Sequence, residues 1–94
     1  MWRIEEHRRV DKRLSSAPKE ILKRYETWKD IASISGPHGL RLIKGFHDEA
    51  LSGEWAGDRS SRLGLQRRVV YRVVADDGVS QVASVTPHDY RRSK

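Results

Sequence analysis

Apolar positions early in the chain recur at helical spacing. Ile21, Leu22, Tyr25, Trp28, Ile31 and Ala32 fall three or four apart, while Lys23, Arg24, Glu26, Lys29 and Asp30 take the other side, the pattern of a helix with one buried face. Pro18 sits where a first turn accepts proline, with Ser16 or Ala17 as the N-cap and Glu20 near the positive end of the dipole. Gly36-Pro37 then offers a C′ residue and a hard stop. Ahead of this helix, Val10 and Leu14 lie four apart, with His7 three earlier, among charged neighbours. That spacing predicts a shorter amphipathic helix over Glu6 to Leu14, ended by Ser15-Ser16. Trp2-Arg3-Ile4-Glu5 alternates apolar with polar and predicts an opening strand.

The period changes after Gly53. Glu54 to Leu63, Arg67 to Ala75 and Val79 to Thr86 are rich in Val, Tyr, Trp, Ser and Arg, and are separated by Gly64-Leu65-Gln66 and Asp76-Asp77-Gly78. Three strands joined by two turns make an antiparallel meander. In the middle strand Val69, Tyr71 and Val73 share one face, and Arg68, Val70, Arg72 and Val74 the other, as suits a central strand with helices on one side and a wet groove on the other. His38 to Gly53 reads as a partly ordered connection with a short strand at Leu40 to Lys44. The whole predicts an α+β domain: a short strand, two helices, then a meander with the helices packed on one sheet face.

Ninety-four residues without a cysteine describe one domain over 1–94 and remove disulfides, thiolate zinc sites and cysteine nucleophiles together. With 36% hydrophobic residues against 34% charged, the chain can fill a small core. It holds nothing like the run of roughly 18 apolar residues that a membrane span needs. Met1 to Glu6 does not read as a secretory signal, so a cytoplasmic protein is the expectation.

The formal charge of +6 favours a polyanionic or acidic partner. Met1 to Ser35 mix nine basic with six acidic residues, whereas Arg59 to Ala75 hold five arginines and no carboxylate. Arg59, Arg62, Arg67, Arg68 and Arg72 therefore form a block of one sign on two adjacent strands, where their side chains can converge on one sheet face. Guanidinium is planar, permanently charged and donates paired hydrogen bonds to phosphate oxygens. The residues themselves also allow a plainer account, in which these arginines keep the sheet soluble or pair with Asp58, Asp76 and Asp77.

A second cluster follows the last strand, Thr86-Pro87-His88-Asp89-Tyr90-Arg91-Arg92. It offers an imidazole, a phenol and two guanidiniums within seven residues, an acid/base set suited to phosphodiester chemistry, or else simply a basic tail. His7, His38, His47 and His88 show no paired metal-ligand spacing. Ser15-Ser16 and Ser60-Ser61 lack a nucleophile-elbow context, and Gly36 to Gly39 follows a helix without a Gly-Lys-Ser/Thr ending, so it is no phosphate loop.

Leu51-Ser52-Gly53-Glu54-Trp55-Ala56-Gly57-Asp58-Arg59-Ser60-Ser61-Arg62-Leu63, followed by Gln66-Arg67-Arg68-Val69-Val70-Tyr71, resembles the signature of RelE/ParE-superfamily toxins of bacterial type II toxin-antitoxin modules. It is most similar to the RelE/HigB-like branch. Arg62 and Arg68 fall on the arginines of that run, and His88-Asp89-Tyr90 is similar to the ending of the RNA-cleaving members. The motif covers roughly the last half of the chain, and the order of elements over the rest agrees with the family fold.

The resemblance implies an endoribonuclease that cuts messenger RNA, commonly on the 70S ribosome, and so inhibits translation until an antitoxin silences it in a hetero-oligomer. Arg68 and Arg62 would stabilise charge on the phosphorus, with His88 as acid or base and Tyr90 stacking a base or assisting proton transfer. Arg59, Arg67, Arg91 and Lys44 would hold the RNA backbone. The reaction implied needs no metal or other cofactor. Some cleaving relatives carry a glutamate before the leucine-Ser-Gly run; the position matched to it here is Gly45, with Asp48, Glu49 and Glu54 nearby. Two other classes share the sequence features: a ParE-like inhibitor of DNA gyrase, and an RNA-binding domain without catalysis. The antitoxin is expected to be acidic or amphipathic and to cover the Arg59 to Arg72 face or displace the C-terminal segment.

Overall fold

The computed structural model describes residues 2–74 and 78–86, and along 79–86 the backbone and the side chain of Val82. The elements run β1 (Arg3–Glu6), α1 (Arg9–Ser15), α2 (Lys19–Leu42), β2 (Glu49–Ala50), β3 (Asp58–Arg62), β4 (Arg68–Val74) and β5 (Val79–Thr86), with 3-10 turns at Lys44–Phe46 and Gly53–Trp55. One sheet holds every strand in the order β1-β5-β4-β3-β2. The meander β3–β4–β5 is antiparallel as its turns predict, and β1 closes the far edge parallel to β5, with Arg3 opposite Val79. A parallel pair needs a long crossover, and here the two helices and β2 to β4 intervene.

The helices cover one sheet face, the α+β arrangement read from the pattern of apolar positions. From α2, Ile21, Tyr25, Trp28 and Ala32 are buried, as that spacing predicts, and they meet Val69, Tyr71 and Val82 from the sheet together with Val10, Leu40, Phe46 and Leu63. Trp28 is the centre of this core: it stacks on Tyr25 with centroids 5.9 Å apart and meets Tyr71 edge-on at 5.2 Å. Such pairs add about 0.5–1.5 kcal/mol beyond the area they bury. Val69, Tyr71 and Val73 face the helices, as their alternation requires. The β4–β5 ladder shifts register between Val70 and Tyr71, so that Ser84 pairs with Val70 while Val82 pairs with Tyr71.

Several boundaries differ from the sequence expectation: the first helix begins at Arg9 and not at Glu6, which ends β1, and β3 begins at Asp58 and not at Glu54, which lies in a 3-10 turn. Pro18 is itself the N-cap of α2, extended at ψ 155°, and its carbonyl accepts from the N–H of Ile21 and Leu22. The hard stop at Gly36-Pro37 is instead a break between two helical arms. Gly36 adopts φ 66° and ψ −165°, and the helix resumes and runs to Leu42. Leu40 to Lys44 is accordingly no strand, and the strand of that connection is Glu49–Ala50.

The break has a clear cause. In an unbroken helix the carbonyl of Ser33 would accept from residue 37, which is a proline without an N–H. The N–H of Trp2 donates to Ser33 O instead, at 2.7 Å. The indole of Trp2 then lies on Gly36 so closely that a Cβ there would stand 2.5 Å from the ring. Leu40 returns to the core beyond the break, which brings the Lys44–Phe46 turn and β2 alongside β3.

Candidate active site

The pairing of β2, β3 and β4 decides which side chains share a face. Arg62 lies directly opposite Arg68, Ser60 opposite Val70, and Asp58 opposite Arg72, while Glu49 of β2 pairs with Ser60. Glu49, Arg62, Arg68 and Arg72 therefore share the face away from the helices. Arg59 and Ser61 belong to the other face. The five arginines thus do not all converge: Arg59 turns toward the helices because it stands an odd number of residues from Arg62 on the same strand.

Arg59 is committed to Asp48. Its Nε donates to Asp48 Oδ1 at 2.7 Å, and its Nη2 lies 2.7 Å from the same oxygen. Asp48 Oδ2 accepts from the hydroxyls of Ser61 at 2.6 Å and Tyr71 at 2.5 Å. The Asp48 side chain is wholly buried, and a buried carboxylate is tolerable only with such a complement of donors. Burial works against the charge of Arg59, but the hydrogen bond and attraction of Asp48 outweigh it and raise its pKa above the ordinary arginine value. Burial likewise pushes the Tyr71 phenol up, and the bond to Asp48 pushes it further, so Tyr71 is a neutral donor.

On the open face the chemistry is different. Arg62 and Arg68 are like charges at directly paired positions, an arrangement that costs stability by roughly 0.2–1 kcal/mol unless something of opposite charge lies between. Arg68 Nη1 comes within 3.9 Å of Glu49 Oε2, and the Arg68 side chain is 18% exposed. The Nε of Arg62 is buried and makes no hydrogen bond among the described residues. On the same sheet face Val70, two residues along β4 from Arg68, packs with Leu51 and Trp55 in a small apolar cluster. Two guanidiniums, one with an unused donor, and one carboxylate on the same face can hold a tetrahedral anion and accept a proton beside it.

The remaining sequence candidates scatter. Arg72 is exposed and pairs with Asp58, its Nε donating at 2.8 Å. Arg67 is half-buried just before β4, where its carbonyl accepts from the N–H of Leu63 and Gly64. Lys44 is exposed on the turn before β2. His88, Tyr90 and Arg91 lie outside the described residues. Gly45, the position matched to a glutamate, is in the 3-10 turn, where a Cβ would meet Arg24 Nη2 at 2.6 Å. The carboxylate that reaches Arg68 is Glu49, four residues later. A two-residue strand leaves no period to read, so sequence spacing alone has no means of choosing among Asp48, Glu49 and Glu54.

No family model matches the chain, and no curated protein matches it. Solved structures do. The chain is similar to a chain of the archaeal RelE–RelB complex from Pyrococcus horikoshii OT3, with 28% identity over 92% of this chain and 93% of that one and a TM-score of 0.74. It is similar to the YoeB/ParE toxin from Agrobacterium tumefaciens, at 17% identity over 93% and 99%, TM-score 0.73. A chain of the YoeB–YefM complex from Staphylococcus aureus matches at 22% identity over 95% and 99%, TM-score 0.70. The fold is that of the toxins of toxin-antitoxin pairs. These similarities are consistent with a RelE/ParE-superfamily toxin.

Proposed function

We propose that this chain is the toxin of a type II toxin-antitoxin pair and acts as an endoribonuclease on messenger RNA, without a metal. The observation that carries the reading is the directly paired Arg62 and Arg68 with Glu49 beside Arg68, on a sheet face left clear of the helices. An inhibitor that acts by protein contact has no need for two paired guanidiniums with a carboxylate beside one of them. A nuclease has, because attack of a ribose 2′-OH on its own phosphate builds negative charge on the phosphoryl oxygens.

In this reading Glu49 accepts the 2′-hydroxyl proton as the new O2′–P bond forms. Arg62 and Arg68 hold the phosphoryl oxygens through the transition state. The P–O5′ bond breaks, and His88 gives the leaving 5′-oxygen its proton, with Tyr90 stacking the base or relaying that proton. The products are a 2′,3′-cyclic phosphate and a 5′-hydroxyl. Lys44, Arg67 and Arg91 hold the RNA backbone, and the ribosome presents the message. The partner is an antitoxin, as RelB, YefM and DinJ are in complexes of the structurally similar chains.

The test is induction in bacteria, with transcript 5′ ends mapped in cells and on purified message with and without ribosomes. New ends that vanish with Arg68→Ala and with His88→Ala support the reading. Growth arrest that persists in both variants, with relaxed plasmid supercoiling and no new ends, replaces it by gyrase inhibition.

A further inference from the structure

Beside the arginine pair lies a second feature, which shares Glu49 with the reacting groups and Lys44 with the backbone contacts proposed above, and adds Arg41 and His47 to them. A cleft of about 360 Å³ is lined by Arg41, Ile43, Lys44, His47, Asp48 and Glu49, a volume at the small end of the range for ligand sites. Its two carboxylates are already answered, Asp48 by Arg59 and Glu49 by Arg68. Its bases are not: Arg41, Lys44 and His47 are exposed and make no ion pair among the described residues. The cleft is therefore cationic, and it meets the arginine pair at Glu49, which belongs to both.

His47 is the most telling of the three. Among the described residues it is the one non-glycine in the left-handed region, at φ 46° and ψ 48°, where glycine would sit at less cost. Arg41 alone has a structural account, since it lies in the last turn of α2 where a cation suits the dipole. Lys44 has no such account, and His47, whose N–H donates to Lys44 O as the C-cap of the 3-10 turn, takes there a left-handed conformation usually given to glycine. Strain of this kind persists where the side chain it presents has a use.

We propose that Arg41, Lys44 and His47 form a phosphate subsite that seats the RNA strand next to the scissile phosphate, with the neighbouring phosphodiester in the cleft and the His47 ring available to its nucleotide. The proposal rests on the ribonuclease reading and extends it from the reacting phosphate to the strand that carries it.

The experiment uses a fluorescein-labelled, fully 2′-O-methylated RNA hexanucleotide, which cannot be cleaved, and reads its dissociation constant by anisotropy across a salt series. Arg41→Ala, Lys44→Ala and His47→Gly are each expected to weaken binding at least threefold. The double variant Arg41→Ala/Lys44→Ala should also lower the slope of log K against log salt, by about 0.7 for each phosphate the protein no longer neutralises. His47→Gly separates use from structure: it should melt no lower than the parent, because it releases the left-handed backbone, while still binding RNA less well. Unchanged affinity in all three variants, with Arg68→Ala still abolishing cleavage, overturns the subsite and leaves the nuclease standing. Cleft-dependent binding by a chain that cuts no message upholds the subsite and removes the nuclease. Variants that bind RNA as the parent does but hold the antitoxin less tightly assign the cleft to the protein partner and overturn the proposal.

Discussion

Asp48 and Glu49 are neighbours in the chain whose carboxylates serve opposite faces of the sheet. Asp48 turns toward the helices and takes hydrogen bonds from Arg59, Ser61 and Tyr71; Glu49 turns to the open face and approaches Arg68 at 3.9 Å. Seating the first fixes where the second emerges, because β2 is two residues long and has little ladder of its own to hold it.

That coupling predicts an outsized effect from a carboxylate that takes no part in the reaction. Asp48→Ala leaves a half-buried guanidinium and two hydroxyls without their acceptor, which should cost about 3 kcal/mol or more. Urea unfolding measures it. Activity should fall further than the lost folded fraction explains, since Glu49 loses its anchor. A stability loss under about 1 kcal/mol would mean that solvent replaces the carboxylate and that the network holds little in place.

Glu49→Gln keeps the shape and removes the base. Cleavage should fall by roughly 10²-fold or more, with the melting temperature nearly unchanged because the side chain is partly exposed. Turnover equal to the parent's would remove Glu49 from the chemistry and return the search for a base to the residues after β5.

Arg68→Lys tests geometry against charge. Lysine supplies a positive point but not the planar fork that matches phosphoryl oxygens. Binding of uncleavable RNA should change little, while the rate falls at least tens-fold. Full activity in the lysine variant would show that Arg68 contributes field alone.

How much of this is legible in the sequence follows from which interactions are local. The core face of α2 is readable because Ile21, Tyr25, Trp28 and Ala32 repeat at the helical period, and the strands β3 to β5 because Val69-Tyr71-Val73 alternate against Arg68-Val70-Arg72. The arginine pair is readable from the motif that Leu51 to Tyr71 carries. Arg59 reads wrongly as a member of the same patch because strand parity, set by where β3 begins, decides its face. Glu49 escapes the sequence because its partner is nineteen residues away on another strand and its own strand is too short to show a period. The break at Gly36 reads as an ending, since nothing in the local sequence reveals that Trp2 supplies the N–H that Pro37 lacks.

The packing of Trp2 on Gly36 has a measurable consequence. A Cβ at residue 36 would meet the indole at 2.5 Å and would place an L side chain at φ 66°. Gly36→Ala should therefore lose about 1–2 kcal/mol from backbone strain and more from displacing Trp2, lowering the melting temperature by at least about 8 °C. Trp2→Ala/Gly36→Ala removes the clash and should recover part of that loss. Equal losses in the single and double variants would show that the backbone term acts alone.

Alkaline stability should be governed by two phenols. Burial first, and then the hydrogen bond each donates to a carboxylate, hold Tyr25 on Glu6 and Tyr71 on Asp48 protonated well above the ordinary tyrosine range. The unfolded chain ionises both near pH 10 or so. Below that pH the two states bind the same phenolic protons, and stability does not depend on them. Above it the unfolded chain binds fewer, so stability falls as pH rises, by up to roughly 2.7 kcal/mol per unit when both contribute. Thermal melts from pH 8 upward should show the fall, and Tyr71→Phe should halve its slope. Of the three tyrosines in the chain, Tyr25 and Tyr71 should show no phenolate absorbance until the protein unfolds. Ionisation of either in the folded chain near pH 10 would mean that the carboxylate beside it has swung away.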